Sequence, residues 1–397
     1  MTRVVLDGHF FRTPWTGVAY YAYGLYSALA EDERASRLTL LEGTRSHLLS
    51  QWVSDTQTRR AAPTGDSVSP RLHRLVHRVP LLRGVARRTR ALLHRIPLSR
   101  LNCDLFHSLN YVPVTSVRAP LLPVVHDMSC MTNPDDHPAE RVRFFEAELD
   151  KVRSAPAIHT VSRFSRDEIV RLLGIAPARI HVIPPGADRQ CLAAPLADGT
   201  IPGDVAPLGL TSGRYVAAVA TLEPRKNLRT LVAAQLALPP ARARRQPVVI
   251  AGARGWGDLQ WPSGLDAALA DGRIVLAGYL DRPTLIDLTR HARAIAYPST
   301  YEGFGLPVLE ALACGTDALI SCGTACVEAG QGEAIELPPL DVDAWTEALA
   351  RLADEPLTPE RRRHLRAAAL RAPSWTDAAQ STLGLYETIL GRPLRHD

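Results

Sequence analysis

The chain predicts two doubly wound α/β domains in tandem, each a parallel sheet with helices on both faces. Short apolar runs alternate with helical patterns along both halves. A stretch without hydrophobic period separates the halves. With 397 residues, 46% of them hydrophobic and 22% charged, the chain has enough apolar material for two cores.

In the first half the predicted strands are Val4 to Leu6, Leu38 to Leu41, Leu105 to His107, Leu121 to His126, Ile158 to Val161 and Ile180 to Ile183. Tyr20 to Leu29 and Arg163 to Leu173 read as helices, the second with a Ser165 to Glu168 capping box. After Pro184 the chain becomes rich in glycine, proline and small residues, and 196–212 is read as a linker. The second half repeats the alternation with strands Tyr215 to Ala220, Val248 to Ala251, Ile274 to Ala277, Ala294 to Tyr297, Ala318 to Ser321 and Ala334 to Leu337. The predicted organisation is an N-terminal domain over 1–195, the linker, a C-terminal domain over 213–375, and a final helix over 376–397 returning towards the N-terminal domain. Closure of the cleft would turn on Pro195 to Ser212.

The six cysteines are scattered without metal-ligand spacing and read as reduced thiols. No stretch reaches the roughly 18 apolar residues of a spanning helix, and the opening MTRVVLDGHF reads as a strand, so the expected location is cytoplasmic. From Arg71 to Arg100 arginines alternate with leucine, valine and isoleucine, with no acidic residue among them. Two readings stand here: an interfacial element that lies on the anionic inner face of a membrane or grips a phosphorylated lipid acceptor, and a surface helix pair with a solvated arginine-rich face. Nucleic acid is not the expected partner, because this segment lacks interleaved aromatics.

Open parallel sheets bind ligands beyond the carboxyl ends of their strands. The string YEGFGLPVLEALACG follows such a strand. Gly303 and Gly305 permit close backbone approach, Phe304 and Leu306 lie between the loop and the helix, and Pro307 suits a first helical turn, whose free amides attract phosphate. Glu302 and Glu310, with seven residues between them, can accept hydrogen bonds from sugar and ribose hydroxyls. ATLEPRKNL follows another strand, where Arg225 and Lys226 can neutralise a diphosphate and the charge that develops as it leaves. VVHDMS puts His126 and Asp127 at a third strand end, where the histidine could position a reacting sugar or carry a proton. In FFRTPWTGVAYYAYGL, Gly17 opens a helix and lets a loop approach the cleft. Asp135 and Asp136, flanked by Pro134 and Pro138, read as a turn and not a metal pair.

These residues resemble the family four glycosyltransferases over nearly the whole chain. EGFGLPVLEALACGT is similar to that family's signature of two spaced glutamates, TLEPRKNL to its phosphate loop, and HTVSRFSRDEIVRLLGIAPARIHVIPPGAD to the segment closing its N-terminal domain. The resemblance implies a GT-B fold, a nucleotide-sugar donor held by the C-terminal domain, an acceptor held by the N-terminal one, and transfer with retention. The implied donor-binding set is Gly17, Thr221, Arg225, Lys226, Tyr279, Glu302, Gly303, Phe304, Gly305, Leu306 and Glu310. His126, Glu302, Arg225 and Lys226 would carry the chemistry, with no metal and no cofactor. Mannose or a rhamnose-like hexose, linked to GDP, UDP or dTDP, is the implied donor class. A glycan or polyprenyl-diphosphate-linked saccharide of the cell surface is the implied acceptor. The sequence departs from the family at Thr221, where an arginine is frequent, and at Pro185 and Asp317; Glu328 matches the family's acid. A noncatalytic member that binds a nucleotide sugar or a partner is the rival reading, and the intact Glu302, Glu310, Arg225 and Lys226 argue against it.

Overall fold

The computed structural model describes residues 2–12, 15–42, 45–61, 102–111 and 118–394. The arginine-rich stretch 71–100 lies outside the described residues. Two parallel sheets dominate. The first comprises β1 (Val4–Asp7), β2 (Thr39–Glu42), β3 (Arg45–Leu48), β4 (Leu105–Ser108), β5 (Leu121–Val125), β6 (Ile158–Thr160) and β7 (Ile180–Val182), in the order β3-β2-β1-β4-β5-β6-β7. The second comprises β8 (Val216–Val219), β9 (Val248–Ala251), β10 (Ile274–Gly278), β11 (Ala294–Tyr297), β12 (Asp317–Ser321) and β13 (Ile335–Leu337), in the order β10-β9-β8-β11-β12-β13.

Every predicted strand is present. β3 is an addition, pairing antiparallel with β2 at the sheet edge. Its sequence, RSHL, has no apolar run because its side chains are mostly exposed. The central strands are buried along their whole length, as with VVIA in β9 and AIAY in β11, because helices cover both sheet faces.

In each sheet the strand order reverses direction beside the first strand. β8 pairs with β9 on one side and β11 on the other. The loops leaving β8 and β11 therefore emerge side by side at the carboxyl edge, the place where such sheets take ligands. Those two loops carry Arg225 with Lys226 and Glu302. In the first sheet β1 and β4 occupy the same position.

One local expectation is corrected. The residue capping the helix Arg163–Leu173 is Ser162, whose side chain accepts from the Ser165 amide. Ser165 lies inside the first turn, and Glu168 turns outward to Arg171. Among the described residues a capping box is formed by Ser374 and Asp377, opening the final helix Trp375–Leu390.

That helix packs on Gly17–Ala30. A Cβ on Gly24 would come within 2.5 Å of the Trp375 ring, and one on Gly186 within 2.3 Å of the Trp375 amide, so both glycines are required by close approach. Beneath it runs a buried chain of four side chains. Tyr386 hydroxyl meets His107 Nδ1 at 2.6 Å, His107 Nε2 meets His159 Nδ1 at 3.3 Å, and His159 Nε2 meets the Tyr21 hydroxyl at 2.7 Å. A single polarity satisfies all of them: each group donates to the next, ending with Tyr21 donating to the Ile183 carbonyl.

Burial pushes both imidazoles below their ordinary range, His159 to about 3. In the unfolded chain a histidine takes up its proton as pH falls through about 6.5. The stability held by the neutral folded form is thus full above that pH and is lost between about 6.5 and 3. The slope is up to about 1.4 kcal/mol per pH unit for His159. Urea unfolding between pH 7 and 5 measures this: the wild-type chain loses stability on acidification, and His159→Gln flattens the slope by about one proton. An unchanged slope in the variant counts against the neutral pair.

Candidate functional site

After β8 the chain makes a 3₁₀ turn over Pro224–Lys226, closed by Asn227 in the left-handed region at φ 51°. Asn227 fixes the turn by donating from Nδ2 to the Pro298 and Pro339 carbonyls. Two cations are thereby held on one loop. After β11 the loop runs through Glu302 to Gly305, whose φ of 99° only glycine tolerates well, and Leu306–Ala313 then begins as a helix with Pro307 in its first turn.

The loops meet in a buried ion cluster. Lys226 Nζ donates to Glu302 Oε1 at 2.5 Å and to the Tyr297 hydroxyl at 3.1 Å. Arg225 Nη1 donates to Glu302 Oε2 at 3.1 Å and to the Tyr301 carbonyl at 3.0 Å. Arg225 Nε also lies 2.7 Å from Glu223 Oε1, an ion pair without hydrogen-bond alignment. Burial by itself raises the Glu302 carboxyl, but Lys226 and Arg225 outweigh it and hold the group below its usual value.

The first domain closes on this cluster through backbone. A Cβ on Gly303 would sit 2.1 Å from the His126 carbonyl oxygen, so glycine is obligatory. Ser162 Oγ donates to the Gly303 carbonyl at 2.6 Å, and Ser165 Oγ donates to the His126 carbonyl at 2.9 Å. The His126 ring donates from Nε2 to the Leu109 carbonyl at 2.7 Å, leaving Nδ1 as its acceptor, and stands edge-on to Tyr21 with centroids 5.2 Å apart. Burial lowers its pKa, so it is neutral at neutral pH. Asp127 lies half-buried beside it; Arg225 and the Ser129 amide and hydroxyl overcome the effect of desolvation and bring its carboxyl to about 2.

Glu310 stands apart from this cluster. Both its oxygens accept from Arg282, at 3.0 Å and 2.7 Å, and Arg282 also donates to Asp188 at 2.6 Å. The pair borders a cavity of about 240 Å³ whose lining includes Tyr20, Tyr23, Leu306 and Trp375. Burial raises the Glu310 carboxyl in spite of Arg282.

Of the remaining expected residues, Gly17 begins its helix, and a Cβ there would meet nothing within 4 Å, so packing does not require the glycine. Phe304 is buried. Tyr279 follows β10 and is 53% exposed. Thr221 packs against the loop after β9, where a Cβ on Gly255 would approach its Cγ2 to 2.8 Å. Asp317 is held between Arg293 and Arg361, at 2.7 Å and 3.0 Å.

Two residues, Arg282 and Trp256, escaped the sequence reading, and Glu328, matched there to the family's acid, has partners that reading did not give. Arg282 gives no pattern beyond following Asp281, which caps its helix. Trp256 lies between Gly255 and Gly257, which rest on Leu222 and Pro224, and the flanking glycines were the available signal. Its Nε1 crosses the cleft to the Asp136 carbonyl at 2.8 Å, and the Arg141 guanidinium covers its ring at 4.9 Å. Glu328 accepts from the Arg163 and Phe164 amides, capping a first-domain helix with a second-domain carboxylate. Among the described residues no three His, Cys, Asp or Glu side chains are placed to hold a metal ion.

Two doubly wound domains closing on a paired-cation and carboxylate cluster define a class of nucleotide-dependent transferases, and comparison with known proteins agrees. The model for "Glycosyltransferase Family 4" matches residues 15–190, and that for "Glycosyl transferases group 1" matches 207–371. O-antigen chain mannosyltransferase B of Escherichia coli is 30% identical over 387 residues, 95% of this chain and 97% of that one. HepE of Anabaena, solved with UDP and glucose, superposes with a TM-score of 0.64 at 15% identity, covering 98% of this chain and 100% of that one. WaaG, a glycosyltransferase involved in lipopolysaccharide biosynthesis, does so at 0.64 and 14%, with the same coverage. The chain belongs to glycosyltransferase family four, and its fold is GT-B.

Gly303→Ala tests the cleft contact. The added methyl cannot coexist with the His126 carbonyl, so small-angle scattering should give a larger radius of gyration, and turnover should fall about 10²-fold, as for a misplaced reacting pair. An unchanged radius and rate would mean that the approach is not needed.

Proposed function

We propose that this glycosyltransferase moves a hexose, mannose or a rhamnose-like sugar, from a nucleotide diphosphate to a glycan or polyprenyl-diphosphate-linked saccharide, with retention, in cell-surface polysaccharide assembly. The observation that carries this reading is the convergence of Arg225 and Lys226 on Glu302 where β8 and β11 part. The mannosyltransferase relation over nearly the whole chain supports the sugar and the setting. Among the described residues no helix is long and apolar enough to cross a membrane. A lipid-linked acceptor would then be met at the membrane's inner face.

In the proposed reaction the acceptor hydroxyl attacks the anomeric carbon as the bond from that carbon to the diphosphate oxygen breaks. The hydroxyl proton passes to the departing phosphate on the same face. Arg225 and Lys226 stabilise the charge that collects there, without a metal; preorganised cations in a dry site cost no reorganisation at the moment of transfer. Glu302, held ionised, is an acceptor for sugar hydroxyls, and Glu310 for the ribose. His126, neutral, offers Nδ1 to the sugar or acceptor.

Lys226→Ala and Glu302→Ala should each lower turnover by about 10²- to 10³-fold, the cost of one preorganised contact. Wild-type rates in either variant would remove that residue from the chemistry. Thermal-shift screening across GDP, UDP, dTDP and ADP sugars identifies the donor, since a ligand at 100 times its Kd stabilises by about 2.7 kcal/mol. Proton NMR of the product then reads the anomeric configuration, and inversion would overturn the retaining mechanism.

A further inference from the structure

Arg282 is the first residue of the helix Arg282–His291, yet it is only 5% exposed. Its guanidinium joins three other segments. It forks onto both oxygens of Glu310 in the helix Leu306–Ala313, donates to Asp188 after β7, and lies 4.9 Å over the ring of Tyr20 in the helix Gly17–Ala30. Asp188 is itself fixed, its other oxygen accepting from the Gln190 and Cys191 amides to cap Arg189–Ala193.

Two features make this more than a structural ion pair. A carboxylate offers about four lone-pair sites, and the fork occupies one on each oxygen, which leaves one on each for a ligand. Two remaining acceptor sites on one rigid plane suit a pair of vicinal hydroxyls. Secondly, Arg282 and Glu310 both border the 240 Å³ cavity, so a ligand there meets the forked pair as one unit.

We propose that Arg282 is a positioning residue for nucleotide recognition, locking the Glu310 carboxylate in the plane and orientation from which it accepts from both ribose hydroxyls. The assignment rests on the reading of Glu310 as the ribose ligand. Lysine in place of Arg282 keeps a positive charge but cannot form two parallel bonds, so it tests the fork and not the charge.

The test is calorimetric titration of the full chain with GDP against 2′-deoxy-GDP and with UDP against 2′-deoxy-UDP. The wild-type chain should bind the ribose form of its preferred base about tenfold more tightly than the deoxy form, the value of one hydrogen bond to a charged group. Arg282→Lys should lose most of that ratio while its affinity for the deoxy form stays near wild type. In Glu310→Ala, which removes both acceptor oxygens, the ratio should vanish, and adding Arg282→Lys should change it no further. A wild-type ratio preserved in Arg282→Lys overturns the positioning role and leaves Glu310 as ribose ligand. Equal binding of both forms by the wild-type chain overturns the ribose reading and this proposal together. Should Arg282→Lys fail to fold, the fork is judged from Arg282→Gln in the same titrations, where a retained ratio again overturns the proposal.

Discussion

Glu302 is a carboxylate sealed from water, and the surrounding architecture is organised by the need to keep it charged. Burial drives such a group towards its neutral form, and chiefly Lys226, itself buried, and Arg225 reverse that tendency. Removing one partner from a buried pair costs about 3–5 kcal/mol, because the survivor stays behind without water or counter-charge. The turn at Pro224–Lys226, the left-handed Asn227 and the glycines on either side of Phe304 all place these three charges together. A pair fixed in this way is poorly suited to stability alone, since apolar packing of equal volume often does as well. What it provides is a set of charges already oriented before any anionic ligand arrives.

The two sheets were legible because buried parallel strands leave continuous apolar runs, and those runs survive inspection one chain at a time. β3 was not legible, since an edge strand with exposed side chains carries no such run. The cluster of Arg225, Lys226 and Glu302 could be read because sheet topology brings the ends of β8 and β11 together, whatever the loops contain. The helix Arg163–Leu173 was placed correctly and its cap was not: Ser165 and Glu168 have the spacing of a capping box, but Ser162 directly precedes the helix and takes the role. Local spacing cannot distinguish two serines that both suit the role; the fold decides by sending Ser165 to the His126 carbonyl.

Arg282, Asp188 and Trp256 were illegible for a different reason. Each acts between segments far apart in the chain, and no period or motif marks a side chain whose partner is almost a hundred residues away or more. Asp317 illustrates the converse. It was read as a departure from the family pattern, and the structure gives it Arg293 and Arg361 as partners, so it belongs to the support beneath β12. Thr221, likewise, packs under Gly255 and leaves the paired cation to Arg225.

The carboxylate of Glu328 has a consequence for how opening of the cleft could be observed. The helix Arg163–Leu173 begins with amides that its own backbone cannot satisfy. Those of Arg163 and Phe164 reach across to Glu328, while that of Ser165 is met by Ser162 from the same domain. Parting the domains strips the first two of their acceptor and leaves the third protected. Deuterium uptake at adjacent positions in one helical turn would therefore diverge as the cleft opens, giving the enzyme a built-in gauge of closure that needs neither substrate nor label.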